Sequence, residues 1–225
     1  MSGYDVFTLK DLLSELKEDR TRNILSSFLC PKNADVERFL HTKAIEFEKS
    51  GYSTTYLVYA SYKDKPEMAG YFTLANKQFY ITAKSTKQKV SRGNAPLLSN
   101  SKRRRLVQYG TYDKSLGIYT ISAPLIGQLG KNFAINDGKL ISGAELLEIA
   151  CSKVWEIQRN FSGRVVYLEC EDKPELVNFY SNNGFVKFGE RELERDEKDD
   201  MDGEYLIQML KDLKAYYEKS EGADS

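Results

Sequence analysis

The apolar positions of this chain change period along its length, and those changes mark out its elements. Phe7–Leu16 and Thr21–Leu29 predict two short helices. Val36, Phe39, Leu40, Ala44 and Phe47 then recur at helical spacing, with Asn33 or Asp35 placed to cap the start and Gly51 to end the helix. His41 falls on the flank of this helix, as a surface or boundary residue. Thr54–Tyr62 (TTYLVYASY) and Met68–Ala75 (MAGYFTLA) flank the turn Lys63–Pro66 and predict a β-hairpin, with Gln78–Ala83 continuing its second strand. Ile118–Ala134 reads as one or two strands, interrupted near Ala123 and Pro124. The period then returns to helical: Leu147, Ala150, Cys151, Val154 and Trp155 form the apolar stripe of an amphipathic helix from Ser142 to Asn160. A strand follows at Arg164–Glu171 (RVVYLECE). Asp172-Lys173-Pro174-Glu175 has the form of a capping box with proline in the first turn, opening a helix that runs to Ser181 and stops at Asn182-Asn183-Gly184. Phe185–Phe188 and Glu204–Leu210 predict a last strand pair.

This order predicts a mixed α/β sheet whose second half runs β-α-β-α-β-β. Residues 1–53 read as an N-terminal helical elaboration and 54–212 as the core. The core carries an insertion at 84–105, with room for a short helix, and a loop at 191–203. Residues 213–225 form a tail expected to fray.

Charge alters this picture locally rather than globally. The chain has 225 residues, with 33 Lys and Arg against 33 Asp and Glu, so the total predicts neither a nucleic-acid nor a membrane partner. No apolar stretch approaches the ~20 residues a membrane helix needs. Met1–Lys10 carries Asp5 and lacks the apolar segment of a secretory signal. The distribution is uneven, however. Met68–Tyr112 holds no acid and nine bases, while Glu190–Ser225 holds 13 acids and 6 bases. The basic insertion KSTKQKVSRGNAPLLSNSKRRR is either a solvated loop or a surface for an anionic partner such as RNA. Three cysteines without a CxxC pair, and a single histidine, predict no metal site and a reduced, cytoplasmic protein.

Three features together resemble the GNAT superfamily of N-acetyltransferases, over about Thr54–Lys211. They are LIGQLGKNFA feeding a loop and the helix ISGAELLEIACSKV, then the strand VVYLECE, then the element LVNFYSNNGFVKFGE with its FY…GF signature. The resemblance implies a GNAT-like acyl-CoA N-acyltransferase fold, with a helical N-terminus like that of some bacterial members. It implies acetyl-CoA as acyl donor and a primary amine as acceptor, with no metal. A pyrophosphate needs clustered N–H donors and a positive field, which a loop opening a helix supplies. The family places a Q/R-x-x-G-x-G/A loop there. Here the loop reads Gly138-Lys139-Leu140-Ile141-Ser142-Gly143, matching at its last small residue; Gly138 replaces Gln/Arg and Ile141 replaces the middle glycine. Lys139, Ile141, Ser142, Gly143 and Ala144 are therefore assigned to the donor, with Lys139 as a phosphate partner. Leu129, Lys131 and Phe133 line the preceding strand, Phe133 being the closest match to the backbone contact, and an amide of this strand is placed to stabilise an oxyanion. Lys173 completes the cofactor set.

In the same way the resemblance assigns Tyr180 as the acid that protonates the departing thiolate. A phenol of pKa ~10 can donate to a thiolate whose conjugate acid sits near ~8.5. Tyr180 reads equally as a core residue of a short amphipathic helix. Glu169 and Glu171 alternate on one strand face, and Glu169 is the candidate base. Cys170 invites a covalent mechanism, but it lacks the histidine partner that lowers a thiol pKa, so direct transfer in a ternary complex is simpler. The competing function is a binding module on the same fold, without turnover, that uses its basic insertion for RNA or another anionic partner. Pattern alone leaves the acceptor and the oligomeric state undefined.

Overall fold

The structure is a computed structural model and describes residues 3–82, 98–193, 204–214, 216 and 218. Most of the basic insertion, the centre of the acidic loop and most of the tail lie outside the described residues. In chain order the elements are β1 (Tyr4–Thr8), α1 (Leu9–Glu15), α2 (Glu18–Leu25), α3 (Ala34–Arg38), α4 (Ala44–Lys49), β2 (Thr54–Tyr62), β3 (Lys65–Thr82), α5 (Asn100–Leu106), β4 (Thr111–Asp113), β5 (Ile118–Lys131), α6 (Gly143–Phe161), β6 (Val165–Glu171), α7 (Pro174–Asn182), β7 (Val186–Glu192) and β8 (Tyr205–Asp212). The strands form one mixed sheet in the order β1-β2-β3-β5-β6-β8-β7, with β4 beside β5. The run β5-α6-β6-α7-β7-β8 is the predicted β-α-β-α-β-β half.

The chain divides into two compact units. The first comprises Met1–Ala75 and Ile126–Lys153, and the second Asn76–Leu125 and Val154–Ser225. The first unit packs Leu9, Leu25, Phe28, Leu40, Leu57 and Tyr71 into one core. Two glycines allow close approach there. A Cβ at Gly130 would sit 2.4 Å from Val36 Cγ1, and one at Gly70 would sit 2.7 Å from the Gly130 carbonyl, so only a bare backbone fits. The second unit packs Phe79, Ile121, Tyr167, Phe188 and Leu210, with Phe79 4.7 Å from Phe188 and 5.0 Å from Tyr167, ring to ring.

Several expectations are corrected. The predicted helix Phe7–Leu16 begins only at Leu9, because Thr8 and Asp11 form a reciprocal capping box and Tyr4–Thr8 pairs with β2 as a strand. The second helix is Glu18–Leu25, and Ser26–Phe28 leave it through tight turns. The third is built in two pieces: Asn33 caps α3, and a π-helical turn at Phe39–Lys43 joins α3 to α4. Strand β5 runs without a break through Pro124, whose fixed φ suits extended backbone. The capping box expected at Asp172–Glu175 does not form. Lys173 is the N-cap and its side chain makes no capping bond, and the Asp172 carboxylate accepts from Tyr205 Oη at 2.9 Å instead.

Candidate functional site

In the first unit, the end of β5 and the start of α6 bring together most of the residues assigned to the acyl donor. β5 stops because Asn132 turns its amide side chain inward. Asn132 Nδ2 donates to the Met68 carbonyl (2.9 Å), and Oδ1 accepts from the amides of Leu29 and Ala134 (3.0 Å each). The Asn132 amide donates to the Ala69 carbonyl (2.8 Å) and the Phe133 amide to the Leu29 carbonyl (2.7 Å). The backbone donors of residues 132–134 are therefore all engaged within the fold. The Phe133 amide is thus not free to make the backbone contact assigned to this position.

What Phe133 offers is its ring. It lies against Gly138, where the backbone turns with φ +69° and an added Cβ would meet the ring at 2.8 Å. The Lys32 and Lys131 ammonium groups sit 5.4 and 5.6 Å from the ring centroid. Burial, and then the neighbouring Lys32 charge, depress the Lys131 pKa, with Glu145 opposing them. Leu129 lies half-buried on the same strand, while Lys139 is exposed in the loop.

The helix start differs from expectation in one respect. Ile141 is core, at 2% exposed, so its side chain is not presented to a donor. Ser142 Oγ accepts from the Glu145 amide (3.1 Å) while the Glu145 carboxylate accepts from the Ser142 amide (2.8 Å). These bonds hold the Glu145 carboxyl below its usual range. The first-turn amides of Gly143 and Ala144 remain, with no acceptor among the described residues. Two N–H groups, a helix dipole and three lysines suit a diphosphate; the carboxylate of Glu145 opposes it.

The second unit holds the remaining assigned residues. α7 carries Tyr180, half-buried between Phe179 (5.0 Å) and Phe185 (5.9 Å). Burial, reinforced by Cys170, pushes its phenol well above the usual value, so the group stays protonated. Its hydroxyl has no hydrogen-bond partner among the described residues. The other assigned groups are engaged. Glu169 accepts from Arg191 Nε and Gln208 Nε2, both at 2.8 Å, and Lys173 pairs with Glu171 at 2.9 Å. Each carboxylate oxygen of Glu169, the candidate base, thus accepts one side-chain bond. Cys170 is buried, and burial pushes its thiol up to about 11, so no thiolate nucleophile is present near neutral pH.

Sequence reasoning missed Asn132, Lys32 and Glu145. The Ser142-x-x-Glu145 spacing is a legible capping-box signal; Asn132 and Lys32 matter through contacts distant in sequence and leave no local mark.

No family model and no curated protein matches the chain. Solved structures do. A tyrosine-to-phenylalanine mutant of KacT is 13% identical with a TM-score of 0.59, over 96% of this chain and 99% of that one. AtaT complexed with acetyl-methionyl-tRNAfMet is 16% identical with a TM-score of 0.58, over 95% and 97%. AtaTR bound with AcCoA is 15% identical with a TM-score of 0.50, over 96% of each chain. The fold is accordingly the GNAT-like fold of these toxin structures. Among the described residues, no helix is long and apolar enough to cross a membrane, and no cluster of His, Cys, Asp and Glu could hold a metal.

Proposed function

We propose that the chain is an acetyl-CoA-dependent N-acetyltransferase acting by direct transfer to a primary amine. The observation that carries this reading is Tyr180: a phenol on the helix of the FY…GF element whose hydroxyl has no hydrogen-bond partner among the described residues. Acetyl-CoA supplies an activated acyl group and a diphosphate handle. The Gly143 and Ala144 amides, with Lys131, Lys32 and Lys139, hold phosphate charge, and the Phe133 ring walls the same corner. Tyr180 Oη donates its proton to the departing sulfur.

The acceptor class follows from the state of Glu169. With that carboxylate held by Arg191 and Gln208, an amine that is already neutral reacts best. An α-amine (pKa ~7.7–8.0) meets this condition near neutral pH, whereas a lysine ε-amine (~10.4) does not. An aminoacyl ester such as aminoacyl-tRNA is therefore the proposed acceptor, in keeping with the acetyl-methionyl-tRNA found on the AtaT neighbour.

A second reading has its own support. The Ser142–Glu145 box places a carboxylate where the diphosphate would lie, and this favours a binding module with weak donor affinity and no turnover. Thiol release with acetyl-CoA, across aminoacyl-tRNA and free amines, separates the two. Under the enzymatic reading, Tyr180→Phe lowers kcat by roughly 100- to 10,000-fold while calorimetric affinity for acetyl-CoA is kept. Donor binding with no thiol release from any acceptor establishes the module.

A further inference from the structure

The second unit holds a cleft of about 440 Å³ that the proposed acetyl transfer does not use. Its floor is apolar, formed by Leu106, Val165, Val186 and Leu210, and its rim carries Lys102, Arg105 and Tyr109. Two other cations on the cleft are neutralised in place. Arg164 makes a two-pronged bond to Asp212 at 2.9 and 3.1 Å, and Lys214 pairs with Glu218 at 2.6 Å. Lys102 and Arg105 have no acidic partner among the described residues. Both project from the exposed α5 segment, which also carries Arg103 and Arg104 and has no acid in its first turn.

Tyr109 joins this cleft to a second, more open concavity lined also by Tyr112, Lys114 and Thr120, and by Asp113, whose carboxylate is held by Ser115 and the Leu116 amide. Tyrosines normally hide most of their ring, yet Tyr80, Tyr109 and Tyr112 are 59%, 47% and 48% exposed in this one unit. Tyr112 lies 4.9 Å from Tyr119, ring to ring, which adds one further ring beside it. Exposed tyrosine rings, and cations without an acidic partner among the described residues, line two hollows that share Tyr109, and a polynucleotide strand offers both bases and phosphates to such a surface. An acidic peptide would satisfy the cations but has nothing to lay on the rings.

We propose that this surface binds single-stranded nucleic acid, with phosphates against Lys102 and Arg105 and a base stacked on Tyr109. The site lies wholly within the second unit and requires no acyl donor. Its test therefore fails or succeeds separately from the acetyltransferase reading.

The probe is a short fluorescein-labelled poly(U) RNA, read by anisotropy with the full chain over a range of salt, without acetyl-CoA. Tyr109→Ala weakens binding roughly tenfold, while Tyr109→Phe, which keeps the π-face, binds like the parent. Lys102→Ala and Arg105→Ala each reduce the slope of log K against log salt by about 0.7, the value for one phosphate contact on a single strand. Circular-dichroism melting confirms that each variant is folded, and Lys17→Ala, in the first unit, serves as a charge control with an unchanged slope. The proposal is overturned if Lys102→Ala and Arg105→Ala leave affinity and slope unchanged. It is equally overturned if Tyr109→Ala binds like Tyr109→Phe, or if polyglutamate displaces the RNA at equal charge concentration.

Discussion

Ser142 and Glu145 cap one another at the start of α6, with the hydroxyl accepting at 3.1 Å and the carboxylate at 2.8 Å. The pair settles the helix end, but it sets a negative charge where the proposed diphosphate needs a positive field. Glutamine serves equally well in a capping box. Glu145→Gln therefore keeps the helix and removes the opposing charge. Acetyl-CoA affinity should rise two- to fivefold by calorimetry at low salt, an order-of-magnitude expectation for one exposed charge at a helix terminus. The gain should shrink as salt screens it. An unchanged or weaker affinity would place the diphosphate elsewhere.

Asn132 is the peg between β5 and the segment that follows α2. Its side chain satisfies Met68 O, Leu29 N and Ala134 N, and it is 2% exposed. Asn132→Ala leaves the buried Met68 carbonyl, and the part-buried amides of Leu29 and Ala134, without this partner. A loss of about 3 kcal/mol follows, since each orphaned group costs on the order of 1–3 kcal/mol less whatever water recovers. Urea unfolding measures it. Hydrogen exchange should also show the Leu29 and Ala134 amides deprotected ahead of the β2 ladder; simultaneous exchange would mean the peg is not local.

These two sites show what was legible in the sequence and what was not. β2 was read as Thr54–Tyr62 and is found there, because alternation and β-branched residues act over a few positions. The helix read as Ser142–Asn160 is Gly143–Phe161, because its apolar stripe is long. β1 was lost inside a predicted helix. Its partners, Tyr56–Ala60, lie far along the chain, and nothing local distinguishes Phe7 in a strand from Phe7 in a helix. The same holds for the site. Tyr180 follows from a short motif, whereas the bonds that engage Glu169 come from Arg191 and Gln208, on strands aligned only by the completed sheet.

Three buried phenols tie stability to alkaline pH. Burial raises the pKa of Tyr71, Tyr167 and Tyr180 in the folded chain. Below the unfolded value of ~10 both states hold the proton, so the phenols contribute no pH dependence. Above it the unfolded chain releases protons that the folded chain retains, and stability falls as pH rises. Between pH ~10 and ~11 each phenol accounts for a loss of roughly 1 kcal/mol. Urea midpoints across that range should fall steeply in the parent and less steeply in Tyr167→Phe. An identical slope would mean that Tyr167 ionises as freely folded as unfolded.

The last prediction concerns which proton controls the rate. The phenol of Tyr180 stays protonated beyond its ordinary range, so it imposes no falling limb on kcat between pH 6 and ~10. Glu169 is held by Arg191 and Gln208, and the proposed mechanism gives it no proton from the acceptor. The rising limb of kcat/KM should then follow the acceptor's own amine, near ~8 for an α-amine and near ~10 for a lysine side chain. Glu169→Gln should leave that limb in place and change kcat/KM by less than about tenfold, whereas removal of a working base lowers the rate by 100-fold or more. Thiol-release assays with aminoacyl-tRNA and with a lysine amide, each over the full pH range, provide the measurement. A limb near the carboxylate range that disappears in Glu169→Gln would return Glu169 to the role of base and remove the argument for an α-amine acceptor.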